Sequence, residues 1–285
     1  MKRHHHDDYD YEEAYNRQCE NLEEIECCRF NINQVKGMAY RTTTTEAGKM
    51  LEIDIYPTFG VRHDMPRTVK RRESRPSQKS LNDKRARRYL NQLASANFGK
   101  GDIWATFTYR AGEEPRSVED AERNFGNFIR RINRRRKKAG KKNIKYIYVT
   151  EWEDGEKGIR CHHHAIMSGD VNRDEIEELW HHGDRTETKR LAPDPDTHIT
   201  GLVHYITKDP RGKKRWKTSK GLIKPRITRS YSKFRKGTVR KMVIDRSLIE
   251  TELKKKYQNA RFVDADVYIS DVNGGYYIYA RMVRD

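Results

Sequence analysis

The sequence predicts an α+β fold with a central, mainly antiparallel sheet and helices on one face. Three observations carry this expectation. Strand-like and helix-like runs are interleaved along the chain, the clearer helical runs each show one apolar stripe, and the best-marked strands, 144–150 and 160–167, are joined by a link too short for a parallel crossover.

Taken in order, the stretch from Met1 to about Met38 is acidic and Tyr-rich, with weak periodicity, and is expected to begin disordered and end in a short helix. Met50-Leu-Glu-Ile-Asp-Ile-Tyr56 alternates from Leu51 onward as a half-buried strand does, with residues 37–41 as its neighbour. Between Pro66 and Pro76 lie Arg67, Lys70, Arg71, Arg72 and Arg75 with almost nothing apolar. That pattern suits a solvated basic loop or a phosphate contact equally. Leu81, Ala86, Tyr89, Leu90 and Leu93 have helical spacing, and Gly99 and Gly101 break the run before the strand Asp102-Ile-Trp-Ala-Thr-Phe-Thr-Tyr109.

The next helix is better marked. Ser117 and Asp120 make a capping-box-like start, Val118, Ala121, Phe125, Phe128, Ile129 and Ile132 form one stripe, and Gly140 ends it. Strands 144–150 and 160–167 then flank the polar turn 153–158 as a hairpin. Asn172 caps a helix whose Ile176, Leu179 and Trp180 face inward, with Gly183 at its end. Residues 198–208 supply a short helix with Ile199, Leu202, Val203 and Ile206 buried. The tail adds a helix near 248–257 and a hairpin, 267–270 and 276–279, turning at Asn273-Gly-Gly.

Composition narrows the partners. The 285 residues hold 60 Lys and Arg against 42 Asp and Glu, a formal charge of +18 with pI near 9.7, so the surface field attracts polyanions and nucleic acid is the leading partner. Apolar residues are only 34% of the chain, but they arrive in periodic blocks, which suits a folded protein with charged arms. Cys19, Cys27, Cys28 and Cys161 show neither metal-ligand spacing nor a disulfide framework, so reduced thiols in a cytoplasm are expected. No apolar run suits a bilayer span or a signal peptide, so no membrane partner is expected. The His4-His5-His6 run is assigned no function.

The chemistry-bearing residues sit in two short segments. In Arg160-Cys-His-His-His-Ala-Ile-Met167, strand alternation points His162 and His164 one way and His163 the other. Neutral imidazole is the commonest ligand of divalent transition metals, and two of them plus one carboxylate leave positions open for substrate oxygens. Glu151 and Glu153 are the nearest carboxylates across the hairpin, and parity does not separate them. The competing reading is a polar surface patch. Against it, histidines inside a strand ending Ala165-Ile-Met167 would be partly buried and in need of partners. In Tyr205-Ile-Thr-Lys208, a helix would place phenol and ammonium on adjacent turns of one face. Alone, Tyr205 also reads as an ordinary core tyrosine. Phenol, with a reference pKa near ~10, needs a cation to attack phosphate near neutrality. The helix ending in Arg130, Arg131, Arg134, Arg135, Arg136, Lys137 and Lys138 is a solvated charged face or a DNA-binding one.

In their order these segments resemble the rolling-circle replication-associated (Rep) proteins of bacterial plasmids and phages, within the HUH endonuclease superfamily. The resemblance covers most of the chain from about Met38. It rests on Asn82-Asp-Lys-Arg-Ala86, Asn97-Phe98, Trp104-Ala-Thr-Phe-Thr-Tyr109 as first motif, Tyr146-Ile-Tyr-Val-Thr-Glu151, His162-His-His164 as second motif and Tyr205-Ile-Thr-Lys208 as third. Ser219-Lys-Gly-Leu222 also looks like a family segment, with no role assigned. The resemblance implies an RRM- or ferredoxin-like core and a site-specific DNA endonuclease and ligase. In it Glu151, His162 and His164 would hold Mg²⁺ or Mn²⁺, Tyr205 would be the nucleophile and Lys208 its helper. It further implies replication initiation by nicking an origin, single-stranded or in a hairpin, with a 5′-phosphotyrosine adduct and a free 3′-OH. A cytoplasmic location in a bacterial host, and host replication machinery as a further partner, belong to the same expectation. One departure is His163, where the superfamily more often has an apolar residue, which leaves open which two of the three histidines bind the ion.

The expected organisation is a flexible acidic segment, 1–37, an endonuclease domain, 38–225, and a C-terminal helix and hairpin extension, 226–285, packed on the core. Competing readings are a conjugative relaxase or single-tyrosine transposase, which share the chemistry, and a non-catalytic basic DNA-binding regulator with a structural ion. RNA binding by an RRM-like sheet is disfavoured because 102–109 lacks the aromatic pattern of RNA-binding strands.

Overall fold

The computed structural model describes residues 38–59, 76–152, 160–183, 186–206, 215–270 and 274–284. Along the described chain run β1 (Met38–Ala47), β2 (Met50–Phe59), α1 (Pro76–Ser95), β3 (Ile103–Thr108), α2 (Val118–Lys138), β4 (Tyr146–Glu151), β5 (His162–Met167) and α3 (Arg173–Leu179). Then follow β6 (Thr186–Arg190), α4 (Thr200–Ile206), β7 (Lys217–Thr218), β8 (Arg226–Ser230), α5 (Lys236–Ile244), α6 (Ser247–Lys256), β9 (Ala260–Ile269) and β10 (Tyr276–Arg284). The expected segment 1–37, the basic stretch 66–75 and the turn 153–158 lie outside the described residues.

The chain divides into two compact units, residues 1–88 with 225–285 and residues 89–224. Each carries a five-stranded sheet, and every strand pairing among the described residues is antiparallel. The fold is therefore α+β, with two sheets where one central sheet was expected.

In the first unit the strand order is β8-β1-β2-β10-β9. β1 and β2 form a hairpin closed by Gly48 and Lys49, Ala47 facing Met50. Gly48 has φ +63°, the left-handed conformation that such two-residue turns require and glycine adopts without a Cβ clash. Strands 38–59, expected within a 38–225 domain, pair instead with the C-terminal hairpin, Ile53 opposite Ala280 and Leu51 opposite Met282. The cause lies in two period-two stripes. Leu51, Ile53 and Ile55 on β2 and Ile278, Ala280 and Met282 on β10 are buried in one core, under Val239, Met242 and Val243 of α5 and Ile249 and Leu253 of α6.

The second unit has strand order β6-β3-β5-β4-β7. On one sheet face Phe125, Phe128 and Ile132 of α2 and Ile176 of α3 pack on Ile103, Ala105, Phe107, Ala165 and Met167. Ser117 caps α2 as expected, its side chain accepting from the Asp120 N–H at 3.1 Å. The opposite face is apolar as well, with Trp104, Ile147, Val149 and Ile166, and it is covered by Leu90, Leu93 and Ala94 of α1 and Val203 of α4. Helices thus occupy both faces, not one, because both faces of this sheet present apolar residues that must leave water. Gly183, expected to end a helix, has another role. A Cβ there would meet the Thr108 carbonyl oxygen at 2.1 Å, so only glycine allows the approach by which Trp180 Nε1–H also reaches that oxygen at 2.7 Å.

Candidate metal centre and its tyrosine

The register of three strands assembles the site. β5 lies between β3 and β4, with Glu151 opposite His162 and Thr106 opposite His164. Alternation puts His162 and His164 on the face of Ile166, and His163 on the face of Ala165 and Met167. Glu151, His162 and His164 each offer one ligand atom, all within 4.8 Å of one another. The two Nε2 atoms are 3.1 Å apart, and Glu151 Oε2 lies 3.3 Å from His162 Nε2 and 3.9 Å from His164 Nε2.

The remaining ring nitrogens are occupied, which decides the tautomers. His162 Nδ1–H donates to the Arg160 carbonyl at 2.8 Å, leaving the Nε2 lone pair toward the cluster. His164 Nδ1 is 3.1 Å from Thr106 Oγ1, and as a donor there it likewise frees Nε2. Such partners fix ring orientation and raise ligand basicity. Trp104 stacks on His164, with centroids 4.9 Å apart and planes at 16°. Burial drives His164 down to about 4, so its imidazole is neutral near pH 7. Burial also opposes charge on His162, but hydrogen bonds to Glu151 and the Arg160 carbonyl outweigh it and raise its pKa.

α4 brings the tyrosine. Ile199 and Val203 are buried in the core beneath it, and Asn91 Nδ2 donates to Thr200 Oγ1 at 3.0 Å in its first turn. With Val203 inward, Tyr205 is 61% exposed, its ring centroid 5.3 Å from that of His164 and 6.3 Å from that of Trp104. Tyr205, Glu151, His162 and His164 therefore share one sheet face. Glu153 and Lys208 lie outside the described residues.

His163 occupies the other side. It is fully buried among Phe125, Tyr148 and Trp180, with Nε2 2.9 Å from the Tyr109 hydroxyl and Nδ1 2.9 Å from Thr150 Oγ1. Burial pushes it down to about 3, so it is a neutral strut tying β5 to the residue beside Glu151. The departure from the superfamily pattern thus has a packing explanation. Cys161 is a buried free thiol that burial lifts to about 12; the other three cysteines lie outside the described residues.

The basic helix separates into two sets. Arg130, Arg134, Lys137 and Lys138 are exposed. Arg131 donates to the Leu179 carbonyl at 3.1 Å, and Arg135 binds Glu178 at 2.6 Å. Arg136 departs most from the expectation of a DNA contact: it is buried, donating to the Lys142 carbonyl at 2.6 Å and pairing with Asp170 at 2.6 Å. With about 3.6 residues per turn, a helix packed on a sheet cannot turn so dense a run of cations wholly to solvent.

Sequence reasoning missed Trp104 and Thr106. They share parity with His164 across β3, but seeing this needed the β3–β5 register. The segments Asn97-Phe98 and Ser219–Leu222 prove structural: Asn97 exchanges two hydrogen bonds, each 2.8 Å, with the Ile223 backbone, and Ser219 Oγ accepts from the Tyr146 N–H at 3.1 Å.

An antiparallel sheet with two imidazoles and a carboxylate on one face, and a tyrosine on the covering helix, defines the class of a sheet-borne metal centre beside a hydroxyl. Residues 102–210 match the family model of the replication-associated protein described as ORF2 or gene II protein, a stretch that contains Trp104, Glu151, His162, His164 and Tyr205. The match bears out the resemblance to rolling-circle Rep proteins; over that segment the chain is similar to a replication-associated protein, with DNA as the implied partner. No curated protein and no solved structure matches the chain. Among the described residues no helix is long and apolar enough to cross a membrane.

Proposed function

We propose that the protein initiates rolling-circle replication by nicking DNA at an origin. The observation that supports this most is the ring of Tyr205 beside His164 on the face that also carries Glu151 and His162. The donor set, two neutral imidazole nitrogens and a carboxylate, fits Mn²⁺, and Mg²⁺ with weaker imidazole affinity. When bound, such an ion supplies Lewis-acid polarisation of the scissile phosphate.

The chain's own residues do the rest. The Tyr205 oxygen attacks phosphorus, the P–O3′ bond breaks, and the phenol proton is balanced by protonation of the leaving O3′. The products are a 5′-phosphotyrosyl adduct and a free 3′-OH that primes synthesis. The ester energy stays in the adduct, so rejoining by the same 3′-OH requires no nucleotide. Lys208, by the family resemblance, would stabilise charge on the phenolate. Trp104 holds His164 by stacking, and Thr106 and the Arg160 carbonyl hold the ligating tautomers.

The test is incubation of origin-containing single-stranded oligonucleotides with protein and Mg²⁺ or Mn²⁺. Cleavage with a protein-linked product is expected from the parent and not from Tyr205→Phe. An adduct formed by Tyr205→Phe would remove Tyr205 from the role.

A further inference from the structure

The family match spans residues 102–210, so the sheet of the first unit lies outside it. One face of that sheet is closed by α5 and α6. The other bears a row that crosses the strands: Tyr231 just past β8, Arg41 on β1, Tyr56 on β2, Tyr277 on β10 and Tyr268 on β9. Arg41 faces Tyr56 in the register, Tyr277 faces Tyr268, and Ile278, next to Tyr277, faces Ile55, next to Tyr56. Tyr40, Ile55, Val267 and Ile278 belong to the core, so alternation turns their neighbours in the row to the opposite face.

Arg41 joins two rings of the row. Its guanidinium carbon is 4.8 Å from the Tyr231 ring centre and 6.0 Å from that of Tyr56, and its Nε donates to the Tyr231 hydroxyl at 2.9 Å. Tyr231 is 56% exposed, a large apolar surface that folding leaves in water. Arg229, opposite Thr43 and so on the same face, is also exposed. Glu52, Asp54 and Asp264 on that face are already matched: Arg88 reaches Glu52 at 2.5 Å and Asp54 at 2.7 Å, and Arg281 reaches Asp264 at 2.8 Å. A polyanion approaching the row therefore meets arginine and phenol, with these carboxylates neutralised beside it.

We propose that this row is a second nucleic-acid surface, which stacks the bases of single-stranded DNA. Every base has a π face, so a row of rings binds without regard to sequence, while Arg41 and Arg229 attract the phosphates. With strands about 4.8 Å apart, the row runs roughly 19 Å, enough to take several successive bases. The choice of DNA rests on the replication reading above, but the surface is independent of Tyr205 chemistry.

The experiment measures fluorescence anisotropy of a labelled short oligothymidylate with the full chain in EDTA, where the metal centre takes no part. Tyr231→Ala and Arg41→Ala should each weaken binding by about fivefold or more, and Tyr231→Phe, which keeps the ring, should stay within about twofold of the parent. A bromodeoxyuridine-substituted strand should crosslink to peptides holding Tyr231 or Tyr56. Parent-like binding by both alanine variants overturns the proposal, as does a parent that prefers oligouridylate tenfold. Nicking that proves independent of Tyr205 would defeat the functional reading and leave this binding result untouched.

Discussion

Replacing His163 with Leu separates the roles of the three adjacent histidines. The substitution strips a partner from two buried hydroxyls, those of Tyr109 and Thr150, each 2.9 Å from the ring. An orphaned buried polar group costs about 1–3 kcal/mol, so the loss near pH 7 should be about 2–5 kcal/mol. The loss also depends on pH. His163 is held at about 3, below its ordinary value, so the unfolded chain takes up a proton that the native state refuses. Stability from this histidine is present above about pH 6.5 and drains as pH falls, by about 1.4 kcal/mol per unit, until about pH 3. Leu has no such dependence, so the gap between parent and His163→Leu should narrow by about 2 kcal/mol on going from pH 6.5 to pH 5. Urea denaturation at both pH values reads this directly, and calorimetric titration with Mn²⁺ shows whether the folded variant keeps its site. A gap that does not change with pH, or Mn²⁺ binding lost in folded His163→Leu but kept in His162→Ala, would refute the assignment.

Three further outcomes follow from the same geometry. Thr106→Val removes the hydroxyl that holds His164 Nδ1 and should weaken Mn²⁺ binding about tenfold or more, measured by calorimetry. Glu151→Gln removes the hydrogen bond that raises His162, so in metal-free protein the NMR titration of His162 should move to lower pH. Arg136→Ala, whose guanidinium is buried on Asp170 and the Lys142 carbonyl, should cost about 2 kcal/mol in urea denaturation. Arg134→Ala should leave stability unchanged and weaken DNA binding with a smaller salt slope.

Local chemistry was legible in the chain and long-range pairing was not. The α2 stripe, its Ser117 cap and the alternation at 162–164 each depend on a few neighbouring residues, and the structure has them as expected. The partner of β2 is more than 200 residues away on β10, and nothing in Leu51, Ile53 and Ile55 distinguishes that strand from any other apolar one. The edge strands β6 (Thr186–Arg190) and β8 (Arg226–Ser230) are mostly polar, so no hydrophobic period marks them. Arg136 looked like its exposed neighbours because its buried partners, Asp170 and the Lys142 carbonyl, come from other parts of the fold. The metal ligands and the tyrosine were found because residue type and order carried them, whereas Trp104 and Thr106 became visible only with the sheet register.

The most direct measurement is mass spectrometry of protease digests after reaction with an origin strand and Mn²⁺. The account predicts a nucleotide mass attached through phosphate to the peptide containing Tyr205, absent when Glu151 is replaced by Gln. A nucleotide carried by any other residue, or strand scission that leaves no protein-bound DNA, would contradict it.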